Sequence, residues 1–98
     1  MSQQANPGLR ITRIEFSPRA ERDLKRLDPQ LRRQAQEAFA DLMKHPRPAR
    51  IRFKKFSYGE TYTMHITSDG SHKAALDLAG DTAYIRRVGT HQAIDAKP

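Results

Sequence analysis

The sequence predicts a small α+β domain, because its apolar residues recur first with helical spacing and then, beyond Pro48, with the alternation of strands. The 98 residues suffice for one domain with a single modest core. Residues 1–10 include Pro7 and Gly8 and show no periodicity, so we expect a flexible N-terminal arm there. We assign residues 11–98 to one domain.

The first half of this domain is predicted to form one strand and a helical hairpin. Residues 11–16 are rich in β-branched and aromatic side chains, which is typical of a strand. Ser17-Pro18 and Asp28-Pro29 each join a capping side chain to a first-turn proline, so a helix is expected to begin at each pair. The predicted apolar faces consist of Ala20, Leu24 and Leu27 in the first helix, and of Leu31, Ala35, Ala38, Phe39, Leu42 and Met43 in the second.

The second half is predicted to form a four-stranded antiparallel meander. The predicted strands cover residues 50–56, 61–67, 73–79 and 82–88, with turns at Tyr58-Gly59, residues 68–71 and Gly80-Asp81. The element order is therefore βααββββ, with both helices packed on one face of the sheet. Because side chains alternate along a strand, His65 is expected to point away from the apolar core, onto a polar and basic face.

The net charge of the chain limits the classes of partner that it is expected to bind. There are 18 Lys and Arg residues against 11 Asp and Glu, a net charge of +7, which suits a nucleic acid, an acidic protein or an anionic surface. No apolar run is long enough to span a membrane and no secretory signal is visible, so we expect a cytoplasmic protein without a membrane partner. The absence of cysteine excludes disulfides, thiolate zinc sites and cysteine nucleophiles.

One basic segment is a candidate for contact with phosphates. It contains Arg47, Arg50, Arg52, Lys54 and Lys55. A strand that carries these bases on its polar face can follow a phosphate backbone. The alternative is that they protect an exposed sheet edge from mispairing.

The last predicted strand and the residues after it form a second cluster. Arg86 and Arg87 are adjacent, so one of them must face the polar side, and Gly89 lets the chain turn so that His91 returns over that side. RNA cleavage needs a base, an acid and cations, and His65, His91 and the Lys and Arg residues could supply all three without metal or cofactor. The alternative is that His91 merely caps the sheet edge and that His65 is an exposed strand residue.

A metal site is a third possibility. His65, Asp69 and His72 flank a turn and could together bind zinc or manganese. An Asp-Gly turn already accounts for Asp69, so this hypothesis is the weaker one.

The ordered combination of these features resembles the RelE/ParE toxin superfamily. It comprises the βααββββ order, the SPRAERDLKRLDP opening of the helical pair, the basic KK strand and the IRRVGTH ending, over about residues 11–95. The resemblance implies a toxin encoded beside an acidic antitoxin. It also implies cleavage of mRNA on the ribosome, as in most characterised branches, or inhibition of DNA gyrase, as in the ParE branch.

The resemblance is closest to the YafQ-type subset and implies site residues. It implies that His65, Asp69 and His91 are catalytic and that Lys54 stabilises charge. The implied RNA-binding residues are Arg50, Arg52, Lys55, Lys73, Arg86 and Arg87. Two positions depart from the family pattern, since Asp95 stands where an aromatic residue is common and Lys73 where an arginine is common.

Three functions therefore remain open at this point. The first is a metal-independent, ribosome-dependent mRNA endonuclease that inhibits translation. The second is a gyrase inhibitor, a protein-binding poison that the same fold and the missing aromatic residue near the C-terminus would suggest. The third is a non-catalytic remnant that retains only antitoxin binding, as Asp95 and Lys73 would suggest.

Overall fold

The structure is a computed structural model that describes residues 10–56 and 60–97. The arm predicted at residues 1–10 therefore lies, apart from Arg10, outside the described residues, as does the Tyr58-Gly59 turn. The described strands are β1 (Arg13–Phe16), β2 (Lys54–Lys55), β3 (Tyr62–His65), β4 (His72–Ala79) and β5 (Thr82–Thr90). The described α-helices are α1 (Pro18–Arg26), α2 (Pro29–Leu42) and α3 (His91–Ala96).

The strands form one sheet in the order β1-β5-β4-β3-β2. Strands β2 to β5 pair as the predicted antiparallel meander, and β1 pairs in parallel with β5. The α+β class is thus confirmed. No helix in residues 10–56 and 60–97 combines the length and the apolar character that crossing a membrane requires.

Both predicted helix starts are confirmed by capping hydrogen bonds. The Ser17 hydroxyl accepts from the Ala20 amide at 2.9 Å, and the Asp28 carboxylate accepts from the Leu31 amide at 2.9 Å. The two helices cover one sheet face, where the fully buried side chains include Leu42, Met64, Leu76 and Ile85. The predicted helix-face residue Met43 is an exception, because it caps the end of α2 and is exposed.

The predicted strand over residues 50–56 is wrong for most of its length. Ala49–Ile51 form a 3-10 turn, Arg52 adopts a left-handed conformation with φ 48°, and only Lys54–Lys55 pair as a strand. The cause is the side chain of Arg50, which donates two hydrogen bonds to the buried carboxylate of Asp41 on α2. Arg50 therefore belongs to the contact with the helix, and not to a row of bases along a strand.

Helix α3 lies on the face of the sheet opposite α1 and α2, here called the rear face. The Thr90 hydroxyl caps it by accepting from the Ala93 amide at 3.3 Å, and Ile94 is fully buried. A Cβ on Gly89 would lie 3.9 Å from side-chain atoms of both Ala93 and Ile94, so the helix rests on this strand. The rear face is thus partly covered by a helix that the sequence pattern does not predict.

A β-bulge in β5 turns two arginines to the rear face. Ala75 pairs with Arg87 and Leu76 with Ile85, so Arg86 is an extra residue in β5. Ile85 and Val88 both lie in the core on the helix side, and the two arginines between them face the other way. The sequence predicts that only one of Arg86 and Arg87 faces the polar side. This prediction was wrong, because the bulge directs both arginines there.

Candidate active site on the rear face

Strand register brings the candidate residues into two neighbouring rows across the rear face. One row runs from β2 to β5 and consists of Lys54, Thr63, Ala75 and Arg87. The next row consists of His65, Lys73 and Gly89. Alternation along each strand puts both rows on the same face. Residues far apart in sequence are thereby neighbours.

Asp95 of α3 joins the second row to His91. The Lys73 Nζ donates to the two carboxylate oxygens of Asp95 at 2.9 and 3.2 Å, and the His91 Nδ1 lies 3.5 Å from the same carboxylate. Burial raises the pKa of Asp95, but Lys73 and His91 outweigh this effect and the net pKa is lowered. Asp95 is therefore an anion at neutral pH that faces a lysine with a side chain only 13% exposed.

His65 lies in a crowded and cationic environment. Its Nδ1 is buried without a hydrogen-bond partner, and a Cβ on Gly70 would lie 2.9 Å from its Cε1. Burial lowers the pKa of His65 below 6.5, and the nearby charges of Lys73, Arg52 and Lys54 lower it further against the opposing effect of Asp95. His65 is consequently neutral at pH 7 and able to accept a proton.

An open cavity of about 340 Å³ adjoins these residues. Its lining comprises Lys54, Lys55, Phe56, Thr63, Lys73 and Asp95. In its described lining, three lysines face one carboxylate, a charge balance that favours an anionic group. The Lys55 side chain is partly engaged, since its Nζ lies 3.6 Å from Glu60.

Asp69 closes the turn between β3 and β4. Its carboxylate accepts hydrogen bonds from the Ser71 amide at 2.9 Å and the Thr67 hydroxyl at 2.7 Å. These bonds lower the pKa of Asp69 to about 2. The structure thus gives this carboxylate a role in the turn, and its catalytic role stays a prediction.

The predicted RNA-binding residues divide into two groups. Lys55, Lys73 and Arg87 lie at or beside the rows just described, and Arg52 is near enough for its charge to lower the pKa of His65. Arg50 is instead held by Asp41. Arg87 donates to the backbone carbonyl of Lys97, and Arg86 donates to the Thr61 hydroxyl at 3.0 Å. The arginines of the bulge are therefore ordered by contacts on the rear face.

The three residues of the metal hypothesis are not brought together. No group of three His, Asp or Glu side chains in the described part of the chain is placed to hold a metal ion. His72 instead contacts its neighbour, with its Nδ1 3.1 Å from the Ser71 hydroxyl.

Sequence reasoning missed Asp95 as a member of this site, because it appeared there only as a departure from the family pattern. The spacing of His91 and Asp95, four residues apart, would have placed them on one face of a helix. A helix of six residues leaves too little periodicity to be recognised.

This chain is similar to known proteins in its fold. No protein-family model and no curated protein matches this chain. Among solved structures, it is similar to the Escherichia coli DinJ-YafQ toxin-antitoxin complex, with 21% identity, a TM-score of 0.66, and coverage of 86% of this chain and 98% of that chain. It is similar to the RelBE2 toxin-antitoxin complex of Mycobacterium tuberculosis, with 24% identity, a TM-score of 0.65, and coverage of 84% and 93%.

The isolated E. coli RelE toxin is also similar, with 15% identity, a TM-score of 0.63, and coverage of 80% of this chain and 82% of that chain. The described architecture is therefore that of a class of small α+β toxins. More narrowly, this chain has the fold of the RelE and YafQ toxins.

Proposed function

We propose that this chain is the toxin of a type II toxin-antitoxin pair and acts as an endoribonuclease that cuts mRNA on the ribosome. The observation that carries the proposal is the convergence on the rear face of two histidines and several cations. They are His65, His91, Lys54, Lys73 and Arg87.

These groups can perform cleavage by transfer within the RNA. Neutral His65 takes the proton of a 2′-hydroxyl, and the oxygen attacks the adjacent phosphorus. The bond from phosphorus to the 5′-oxygen breaks, and His91 gives a proton to that oxygen. The products are a 2′,3′-cyclic phosphate and a 5′-hydroxyl end. Lys54, Lys73 and Arg87 stabilise the charge that builds on the phosphate oxygens.

The proposal includes an antitoxin as the partner. Similar structures include complexes of a toxin with an antitoxin, the DinJ-YafQ and RelBE2 complexes among them. A chain with a net charge of +7 and a basic rear face is complementary to an acidic amphipathic segment. We expect such a partner to be encoded next to this chain.

The test is to induce the chain in a bacterial host and to map the 5′ ends of cellular mRNA. We expect new cuts at codon-periodic positions that vanish in His91→Ala and persist in His45→Ala, a control in the exposed segment after α2. Growth arrest with intact mRNA and a DNA-damage response would contradict the proposal in favour of gyrase inhibition. A lack of any toxicity would contradict it in favour of a remnant that only binds antitoxin.

A further inference from the structure

Tyr84 of β5 is an exposed aromatic residue on the rear face. In the described ranges, only Met43 and Tyr84 are large hydrophobic residues with exposed surfaces, at 43% and 38%. Its neighbours Ala83 and Ile85 are fully buried in the core, so alternation directs Tyr84 to the opposite side. Packing in the core does not account for an aromatic ring that is exposed on this basic face of the sheet.

The surroundings of Tyr84 are cationic. It borders an open cavity of about 410 Å³, and the other lining residues are Ser17, Arg19, Arg86, Arg87 and Lys97. The nearest carboxylates by register are Glu15 and Asp77, which pair with Tyr84 across the strands. Glu15 is held by Arg13 at 2.8 Å, and Asp77 lies 3.7 Å from Arg86. Among the residues that the structure describes, four cations and no carboxylate line this cavity.

This cavity continues the row that crosses the candidate active site. Arg87 belongs to the row of Lys54 and Thr63 and also lines the cavity of Tyr84. Strands β2 and β5 are three spacings apart, about 14 Å, so a polyanion longer than one nucleotide can contact both cavities.

The chemistry of the cavity fits a single-stranded nucleic acid. Bases stack on aromatic rings whatever their identity, and guanidinium groups bind the phosphates between them. An acidic peptide would pair with the cations but would gain little from the exposed face of the Tyr84 ring. RNA can use both the cations and the ring, so it fits this cavity better.

We propose that Tyr84, with Arg19 and Arg86, forms a second binding site for single-stranded RNA, in which a base flanking the cut stacks on the Tyr84 ring. This inference rests on the proposed function and extends its RNA path beyond the reacting phosphate.

The chain contains no tryptophan, which makes a direct test possible. Tyr84→Trp introduces a single fluorescent reporter at the site, and Met43→Trp introduces one of similar exposure at the end of α2. The probe is a single-stranded RNA oligonucleotide with 2′-O-methyl groups, which block the attacking hydroxyl. We expect the RNA to quench the fluorescence of Tyr84→Trp and to leave that of Met43→Trp unchanged.

Affinity for the same RNA gives the second readout. Tyr84→Ala should weaken binding about tenfold through loss of stacking, whereas Tyr84→Phe keeps the ring and should bind like the parent. The inference is overturned if the parent binds RNA while Tyr84→Trp is not quenched, or if both tryptophan variants respond equally. Stronger quenching by polyglutamate than by RNA would overturn it in favour of a protein partner. If neither this RNA nor ribosomal mRNA is bound by the parent, the proposed function fails as well.

Discussion

The ammonium group of Lys73 lies 2.9 Å from one carboxylate oxygen of Asp95 and 3.2 Å from the other. Lys73 belongs to β4 and Asp95 to α3, so this ion pair fastens the C-terminal helix to the rear face. Since the carboxylate also lies 3.5 Å from the His91 Nδ1, one residue restrains a cation and a histidine of the candidate site.

Asp95→Ala is expected to slow RNA cleavage about tenfold or more, because His91 loses the group that holds its ring. Asp95→Asn keeps an oxygen for hydrogen bonding and should retain more of the rate. Both variants should bind RNA more tightly, since Lys73 is no longer neutralised. Measurement of kcat and KM separately on a model RNA with ribosomes checks both effects.

A purely structural role for Asp95 makes a different prediction. It would lower the thermal stability of both variants without changing kcat in the fraction that is folded. An unchanged kcat in Asp95→Ala would therefore contradict the positioning role.

His65 should titrate below its ordinary pKa of 6.5, because burial and the charges of Lys73, Arg52 and Lys54 all disfavour its protonated form. Lys73→Met removes one of these charges and should raise the pKa. Proton NMR of the His65 ring as a function of pH measures both values. A parental midpoint at or above 6.5 would contradict the environment described for His65.

The same shift makes stability depend on pH. The unfolded chain binds the His65 proton more tightly than the folded chain, so protonation favours unfolding as the pH falls below about 6.5. His65→Gln should lose less stability than the parent between pH 7 and pH 5, as measured by urea unfolding. Equal losses in the two proteins would indicate that His65 does not contribute.

Gly70 and Gly80 form a matched pair of turn glycines, with φ values of 77° and 61°. Alanine should cost about 1 kcal/mol of backbone strain at each position. A Cβ at Gly70 would also lie 2.9 Å from the His65 ring, whereas a Cβ at Gly80 meets nothing within 4 Å. Gly70→Ala should therefore strongly reduce RNA cleavage, whereas Gly80→Ala should reduce only the stability of the fold. Similar cleavage rates in the two variants would contradict a role for the His65 ring.

Two hydrogen bonds join the bulge that presents both arginines to α1 and to its N-cap residue Ser17. The Asp23 carboxylate accepts a hydrogen bond from the Val88 amide at 3.0 Å, and the Ser17 hydroxyl donates to the Arg86 carbonyl at 2.8 Å. Asp23→Ala should lower the free energy of unfolding by about 1–2 kcal/mol, because the Val88 amide loses its partner. Glu21→Ala removes the same charge from an exposed position of α1, and an equal loss in this control would contradict the assignment.

The sequence reveals those parts of the fold that local chemistry determines. Ser17 and Asp28 cap the two helices as expected, and the alternation around His65 gives its correct face. The bulge at Arg86 was not predictable, because a period of two assigns adjacent arginines to opposite faces and only pairing with β4 shows the extra residue. The turn at Arg50 was not predictable for a similar reason, since Arg50 bonds to Asp41, a buried carboxylate nine residues earlier on α2.

The candidate site was predictable in its residue types but not in its connections. The resemblance implied His65, His91, Lys54 and Lys73, and the structure brings these residues to one face. Asp95 could not be included, because its role follows from how α3 folds back onto β4, a tertiary contact between residues 22 positions apart.

The most direct test of the account is to incubate the purified chain with ribosomes that hold a defined mRNA and to detect cleavage by primer extension. We expect the parent and His45→Ala to cut the message, and His65→Ala and His91→Ala to cut it about a hundredfold more slowly, since each loses a proton-transfer group. Equal cutting by the parent and both of these variants would contradict the assignment of the active site to the rear face.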